Sequence, residues 1–251
     1  PAGMECSADG SRLYVCALGS GKVGVLDAGG GVLGRIEVGG SPTGLALHED
    51  ARRLYVMERF LHAVLVVDLD GERLVELVPL RYSPEPRRVR EGRQYLYDAR
   101  GSSAHGDAAC GSCHIFGDLD GLAWDLGDPA ADVKENPLAP VAPSAGRPLA
   151  PFHPMKGPMT TQSFRGLPGA GAMHWRGDRN GGHAAPFDAS EAFLAFRPAF
   201  QGLLGLGSEF ASGEMEKLRD FALSLRYPPN PIAPLDGSLT PVELENVAKL
   251  P

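Results

Sequence analysis

Five consecutive residues carry the strongest chemical signal in the chain: Cys110-Gly111-Ser112-Cys113-His114. Two thiols three positions apart can each add to a vinyl group on one edge of a porphyrin. The residue that follows then sets its imidazole beneath the iron. This is the attachment pattern of a c-type haem, with Cys110 and Cys113 as thioether anchors and His114 as proximal ligand. Other chemistries of a Cys-x-x-Cys pair fit less well. A structural zinc site needs a second ligand pair, and the other two cysteines, Cys6 and Cys16, lie far upstream in β-rich sequence. A redox dithiol of the thioredoxin kind needs a βαβ setting, whereas Gly-rich loop surrounds this motif. The expected cofactor is one covalent haem c.

A haem iron has a second axial position, and a thioether there raises the potential and suits electron transfer. Met159 is favoured for it: it follows His114 by 45 residues, in the Pro-preceded loop Lys156-Gly157-Pro158-Met159-Thr160. Met155, Met173, His153 and His174 are the other candidates, an open site is a further alternative, and any one Met can equally be core filler. In His174-Trp175-Arg176-Gly177-Asp178-Arg179, the Arg176 guanidinium suits a haem propionate and Trp175 suits the porphyrin edge. A structural Trp–Arg stack is the competing reading. Asp118, Asp120 and Asp125 alternate through the loop after the motif. Lacking the 12-residue calcium-loop pattern, they read better as solvated turn carboxylates than as Ca²⁺ ligands.

These residues need elements to hold them. The sequence implies a short helix for the cysteine pair and a long Pro- and Ala-rich connector over residues 128–158, which would wrap a haem edge. Beyond Gly182 the pattern turns helical. Asp188 caps a helix carrying Phe193, Phe196 and Phe200 on one face, and Ser212 caps another with Met215, Leu218, Phe221, Ala222 and Leu225 at helical spacing. The Pro-rich run from Tyr227 to Pro231 stops it.

The first hundred residues repeat with a period of 41. Arg12-Leu13-Tyr14-Val15 aligns with Arg53-Leu54-Tyr55-Val56, Val25-Leu26-Asp27 with Val66-Val67-Asp68, and Ile36 with Leu77. Four short β-rich runs recurring about every 40 residues are the signature of β-propeller blades. Ser83-Pro84 and Arg93 to Tyr97 read as the start of a third blade. Two blades cannot bury their own end faces, so a longer propeller is expected. Cys6 and Cys16 align with Leu47 and Met57 and read as small buried hydrophobes rather than a disulfide, while His48 and His62 read as solvated turn residues.

The expected fold class is therefore a two-part chain. Incomplete all-β propeller blades occupy residues 1–92, and a mostly α, cytochrome c-like domain with long loops occupies 93–232. Residues 233–251 are expected as a linker toward a second haem domain, an expectation that rests on the family resemblance given below.

The 251 residues include 33 Gly and 22 Pro, which favours many turns over a helical bundle. A net charge of −7 argues against a nucleic-acid partner, and no apolar run reaches the length of a membrane span.

The repeats resemble the YVTN-type β-propeller family, on Arg12 to Val15, Gly40-Ser41-Pro42-Thr43-Gly44-Leu45-Ala46 and Arg53 to Val56. Residues 95–231 resemble the cytochrome c-like domain of the bacterial di-haem cytochrome c peroxidase family, particularly members fused behind such a propeller. The matching residues are the Cys110 to His114 motif, Thr161-Gln162-Ser163-Phe164-Arg165-Gly166-Leu167, His174 to Arg179 and the run from Leu218 to Pro231. The chain departs from that family in holding one attachment motif where two are expected. Two functions follow as expectations. One is a c-type cytochrome module passing electrons to a redox partner protein, with the propeller as scaffold. The other is half of a di-haem peroxidase-like oxidoreductase, with His174, Trp175, Arg176 and Arg179 at a peroxide or radical-relay site. A weaker third makes the propeller a binding module with the haem as sensor. Because bacterial haem c attachment takes place outside the cytoplasm, the expected location is the periplasm or cell surface.

Overall fold

The computed structural model describes residues 2–126, 132–133, 151, 153, 158–175, 177, 179–181, 187–229, 231, 234, 236 and 238–249. Eight strands form two antiparallel sheets, each with its four strands in chain order. The first holds β1 (Met4–Cys6), β2 (Arg12–Ala17), β3 (Lys22–Asp27) and β4 (Val32–Glu37); the second holds β5 (Pro42–His48), β6 (Arg53–Glu58), β7 (Ala63–Asp68) and β8 (Arg73–Pro79). The 41-residue offset holds in space: β2, β3 and β4 begin at Arg12, Lys22 and Val32, and β6, β7 and β8 at Arg53, Ala63 and Arg73. Even the irregularity recurs. The register between third and fourth strands shifts at Val25/Leu26 in one unit and at Val66/Val67 in the other.

Side chains alternate across a strand, and each unit uses that alternation to present a different face to its neighbour. Tyr14, Val23, Val25 and Ile36 of the first unit meet Leu54, Val56, Leu65 and Val67 of the second in one buried layer. Polar groups fix the loops around it. Buried Glu58 accepts backbone N–H bonds from Ser41 (2.6 Å), Phe60 (2.9 Å) and Leu61. Gly40, at φ +54°, leaves room for that carboxylate, since a Cβ there would lie 2.1 Å from it. Cys16 is buried as expected, but Cys6 is exposed because it lies on the outer face of the first strand; both are free thiols.

The segment expected to open a third blade is instead helical. Helix α1 spans Arg87–Tyr97, so residues 93–97 form its C-terminal half and the boundary at 92 falls inside it. Its run of long unbranched side chains favours helix over strand. Glu85 ties it to the repeats, pairing with Arg59 of the β6–β7 turn at 3.1 Å and with Arg93 of α1. After α1 come α2 (Ala99–Ser102), α3 (Cys110–Cys113), the two-stranded antiparallel sheet of β9 (Ala123–Asp125) and β10 (Pro158–Thr160), then α4 (Ala189–Leu194), α5 (Ala199–Gly202), α6 (Ser212–Ala222) and α7 (Pro241–Val247). Leu96, Phe193, Phe200, Phe210, Met215, Leu218 and Phe221 build a second core. Helix α1 lies so close to α6 that a Cβ on Gly92 would stand 2.0 Å from the Lys217 carbonyl.

Two details of the helical half differ from expectation. Asp188 caps α4 through Ser190 and Glu191 N–H, but the helix ends before Phe196, and Phe200 belongs to α5. Ser212 is the first residue of α6, not its cap, and its hydroxyl accepts from Arg197. No described helix is long and apolar enough to cross a membrane.

Candidate haem-attachment site

The cysteine pair sits on a single helical turn pressed against the end of α1. A Cβ on Gly111 would lie 2.5 Å from Tyr97 Cδ1 and 2.9 Å from the Leu96 carbonyl, so the residue after the first cysteine is small for a packing reason. The turn is closed by Ala109 N–H donating to Ser112 Oγ (3.0 Å) and by His114 N–H donating to the Cys110 carbonyl (2.9 Å). Helix α2, just upstream, meets the first sheet: Ala99 N–H donates to the Gly19 carbonyl at 2.9 Å. Cys110 and Cys113 are free, half-buried thiols. Burial pushes the Cys110 thiol up to about 11, and burial aided by the Asp120 charge also raises Cys113. Both are protonated at neutral pH.

His114 is held from the other side of the loop. Its Nδ1 lies 2.7 Å from the Gln162 carbonyl. A carbonyl oxygen only accepts, so Nδ1 carries the proton and Nε2 keeps a free lone pair. Burial lowers the imidazole pKa, opposed by the Gln162 bond and by Asp120, so the neutral, ligating form is favoured. Phe164 stacks on the imidazole with ring centroids 4.0 Å apart, and its N–H donates to the Gly117 carbonyl at 3.0 Å. Residues 162–164 therefore brace His114 and the turn after it. Arg165 adds an ion pair to Asp118 at 3.1 Å.

The β9–β10 pairing places Met159 opposite Trp124, three residues before Gln162. Trp124 Nε1 donates to Asp120 at 2.8 Å, and Trp175 Nε1 donates to the Thr160 carbonyl at 2.9 Å. Trp175 thus joins strand β10, which leads to the histidine brace. Met173 lies buried in the helical core. His174 adopts a left-handed backbone, φ 73°, with its ring edge-on to Phe196 at 5.8 Å. Phe196, Phe193 and Phe164 form an aromatic row between His174 and His114, and the Arg179 guanidinium lies over Phe196. His153 is exposed, while Arg176 and Met155 lie outside the described residues. Asp118 and Asp120 are engaged by Arg165 and by Trp124 and Leu122 N–H, as turn carboxylates are. Among the described residues no group of three His, Cys, Asp or Glu side chains is placed to hold a metal ion.

No family model matches the chain, and no curated protein matches it. Several solved structures resemble parts of it. One is a hydrazine synthase from Kuenenia stuttgartiensis, 27% identical over 32% of this chain and 23% of that one, with a TM-score of 0.31. A hydrazine synthase structure pressurised with 20 bar xenon is 23% identical over 66% of this chain and 45% of the other, with a TM-score of 0.39. AztD of Citrobacter koseri is 15% identical over 33% of this chain and 24% of its own, with a TM-score of 0.28. The chain thus spans less than half the length of each of these.

The site's own residues decide which group it fits. Two free thiols and one neutral imidazole with an open Nε2 are the groups that covalent haem attachment would use, the thiols as thioether anchors and the imidazole as a single iron ligand. Around them Ile115, Phe116, Leu119, Leu122, Trp124 and Trp175 are all exposed. A cluster of large apolar side chains facing water marks a surface made to be covered, and a porphyrin ring is a ligand of suitable size and polarity. Sequence reasoning missed the brace. A main-chain carbonyl such as that of Gln162 has no sequence signature, and Phe164 was readable only as part of an Arg- and Gly-containing segment.

Proposed function

We propose that the chain is a c-type cytochrome module that holds one covalent haem and exchanges single electrons with a redox partner protein, the two repeat units serving as β-propeller scaffold. The observation that carries this reading is the His114 brace: Nδ1 bonded to the Gln162 carbonyl at 2.7 Å, directly after two free thiols on one helical turn. When bound, the haem supplies the one-electron couple of its iron. The chain's part is positional. Cys110 and Cys113 would tether the group, Gln162 fixes the tautomer and direction of the imidazole, and Phe164 covers one imidazole face. An outer-shell bond of this kind orients a ligating histidine and raises its basicity. Met159 would supply a second ligand to the iron, and Trp175 and Arg176 would help hold the haem. Periplasm or cell surface is the matching location.

The test is to produce the chain together with haem c maturation machinery. A mass increase of one haem that survives denaturation, with a reducible low-spin spectrum and the weak far-red ferric band of thioether ligation, is the expected result. Absence of covalent haem overturns the reading. A high-spin ferric spectrum that reacts with peroxide favours the second reading, half of a di-haem peroxidase-like oxidoreductase. The observation on that side is the strained His174 held against Phe196 with Arg179 beside it, since backbone strain of this kind gathers at functional sites.

A further inference from the structure

The loop between the attachment motif and β9 carries two carboxylates, Asp118 and Asp120, and they are used differently. Asp118 gives its charge to the Arg165 guanidinium at 3.1 Å. Asp120 sets both oxygens on neutral donors: one accepts from Leu122 N–H at 2.9 Å, the other from Trp124 Nε1–H at 2.8 Å. Leu122 carries that order across to the next segment. Its carbonyl accepts the Thr161 N–H at 3.3 Å, and the carbonyl of the following residue, Gln162, accepts the His114 Nδ1–H at 2.7 Å. Trp124 in turn pairs with Met159 across the strands. One carboxylate thus secures the backbone that leads to both residues assigned to the iron.

Its charge is placed as usefully as its bonds. Desolvation opposes ionisation, but the bonds from Leu122, Trp124 and the Thr161 hydroxyl outweigh it and hold the Asp120 carboxyl below its ordinary range, so it is negative at neutral pH. Burial dominates the shifts at His114 and Cys113, and the Asp120 charge is felt at both, favouring the imidazolium and disfavouring the thiolate. Given the covalent haem proposed above, on which this role depends, we infer that Asp120 is a positioning residue of the site: its carboxylate secures the segment bearing the His114 brace, and its charge lowers the reduction potential of the iron. The sign follows from the charges. Ferric iron carries one more positive charge than ferrous, so a fixed anion near its ligand stabilises the oxidised form. Hydrogen bonds and charges around the ligands are the means by which a protein sets such a potential.

Two substitutions separate the bonds from the charge. Asp120→Asn keeps an oxygen for the Leu122 N–H and removes the charge; Asp120→Ala removes both. In the haem-loaded full chain, Asp120→Asn should raise the equilibrium constant for reduction against a reference couple by about fivefold, roughly 40 mV for one electron. The shift should narrow as salt is added, with the iron ligation bands unchanged. In the full chain without haem, exchange of the His114 imidazole proton should stay near the parent rate in Asp120→Asn and quicken by about tenfold in Asp120→Ala. Haem-loaded Asp120→Asn with the parent potential overturns the charge role and leaves the haem reading standing. A folded Asp120→Ala, checked by circular dichroism, that exchanges at the parent rate overturns the positioning role. A parent chain whose mass shows no covalent haem overturns the haem reading and the charge role with it, and the exchange measurement, which needs no haem, still decides the positioning role.

Discussion

The repeat region and the helical region build their cores from different material. Between the two sheets, Val, Ile and Leu side chains alternate along strands, and a residue's place in the 41-residue period decides its face. In the helical region, aromatic and Met side chains are gathered from segments as far apart as Leu96 and Phe221, with no period at all. The functional motif lies at the rim of this second core, with Cys110 packed against it and His114 stacked on Phe164. A repeat makes a rigid platform by local rules, while a cofactor site needs chemically different groups brought together once. If that division holds, damage to one region should leave the other recognisable.

The largest effect should come from the double substitution Cys110→Ala, Cys113→Ala. Covalent haem should be lost completely, read by mass after denaturation, while the β signal in far-ultraviolet circular dichroism remains. Loss of the β signal as well would mean that the regions fold as one unit. Next in size is Gly92→Ala. Its Cβ would stand 2.0 Å from the Lys217 carbonyl, backbone that moves only if α1 and α6 separate. A cost of about 3 kcal/mol or more is expected in the helical region, seen as an early loss of helical signal in a urea titration.

The same contrast explains what was legible in the sequence. Each of β2, β3, β4, β6, β7 and β8 could be placed from the period, because alternation and turn residues act within one hairpin. Cys110, Cys113 and His114 were legible because their spacing is itself the chemistry. The residues that support them were not. Gln162 acts through its backbone, Gly111 through a missing Cβ, and Phe164 through a stacking partner 50 positions away in the chain. Helix α1 was misread for a related reason: Arg93 to Tyr97 was read as a continuation of the repeat, whereas the long unbranched side chains from Arg87 to Gln94 favour helix and Leu96 and Gly92 dock it on α6.

Glu58 tests the platform by itself. Its buried carboxylate holds the N–H groups of Ser41, Phe60 and Leu61, whereas the equivalent position in the first unit is Ala17. Glu58→Ala leaves those donors without their acceptor, at a cost of about 2–3 kcal/mol, and should lower the unfolding midpoint of the β signal. Haem attachment by Cys110 and Cys113 should be retained. If attachment fails too, the Arg59–Glu85–Arg93 link carries the damage across, and the platform is part of the site.

The smallest effect expected is at Asp188, and it sharpens the comparison from the other side. The carboxylate accepts from Ser190 N–H at 2.8 Å and Glu191 N–H at 3.1 Å, capping α4. Asp188→Ala should cost about 1 kcal/mol and leave the β transition unmoved. Helix α4 carries Phe193, whose ring meets Phe164 edge-on at 5.8 Å, and Phe164 in turn stacks on His114. A frayed α4 therefore loosens the histidine brace without touching it. The readout is exchange of the His114 imidazole proton, which should quicken in the variant, while Asp188→Asn, which keeps a capping oxygen, should restore the slow rate.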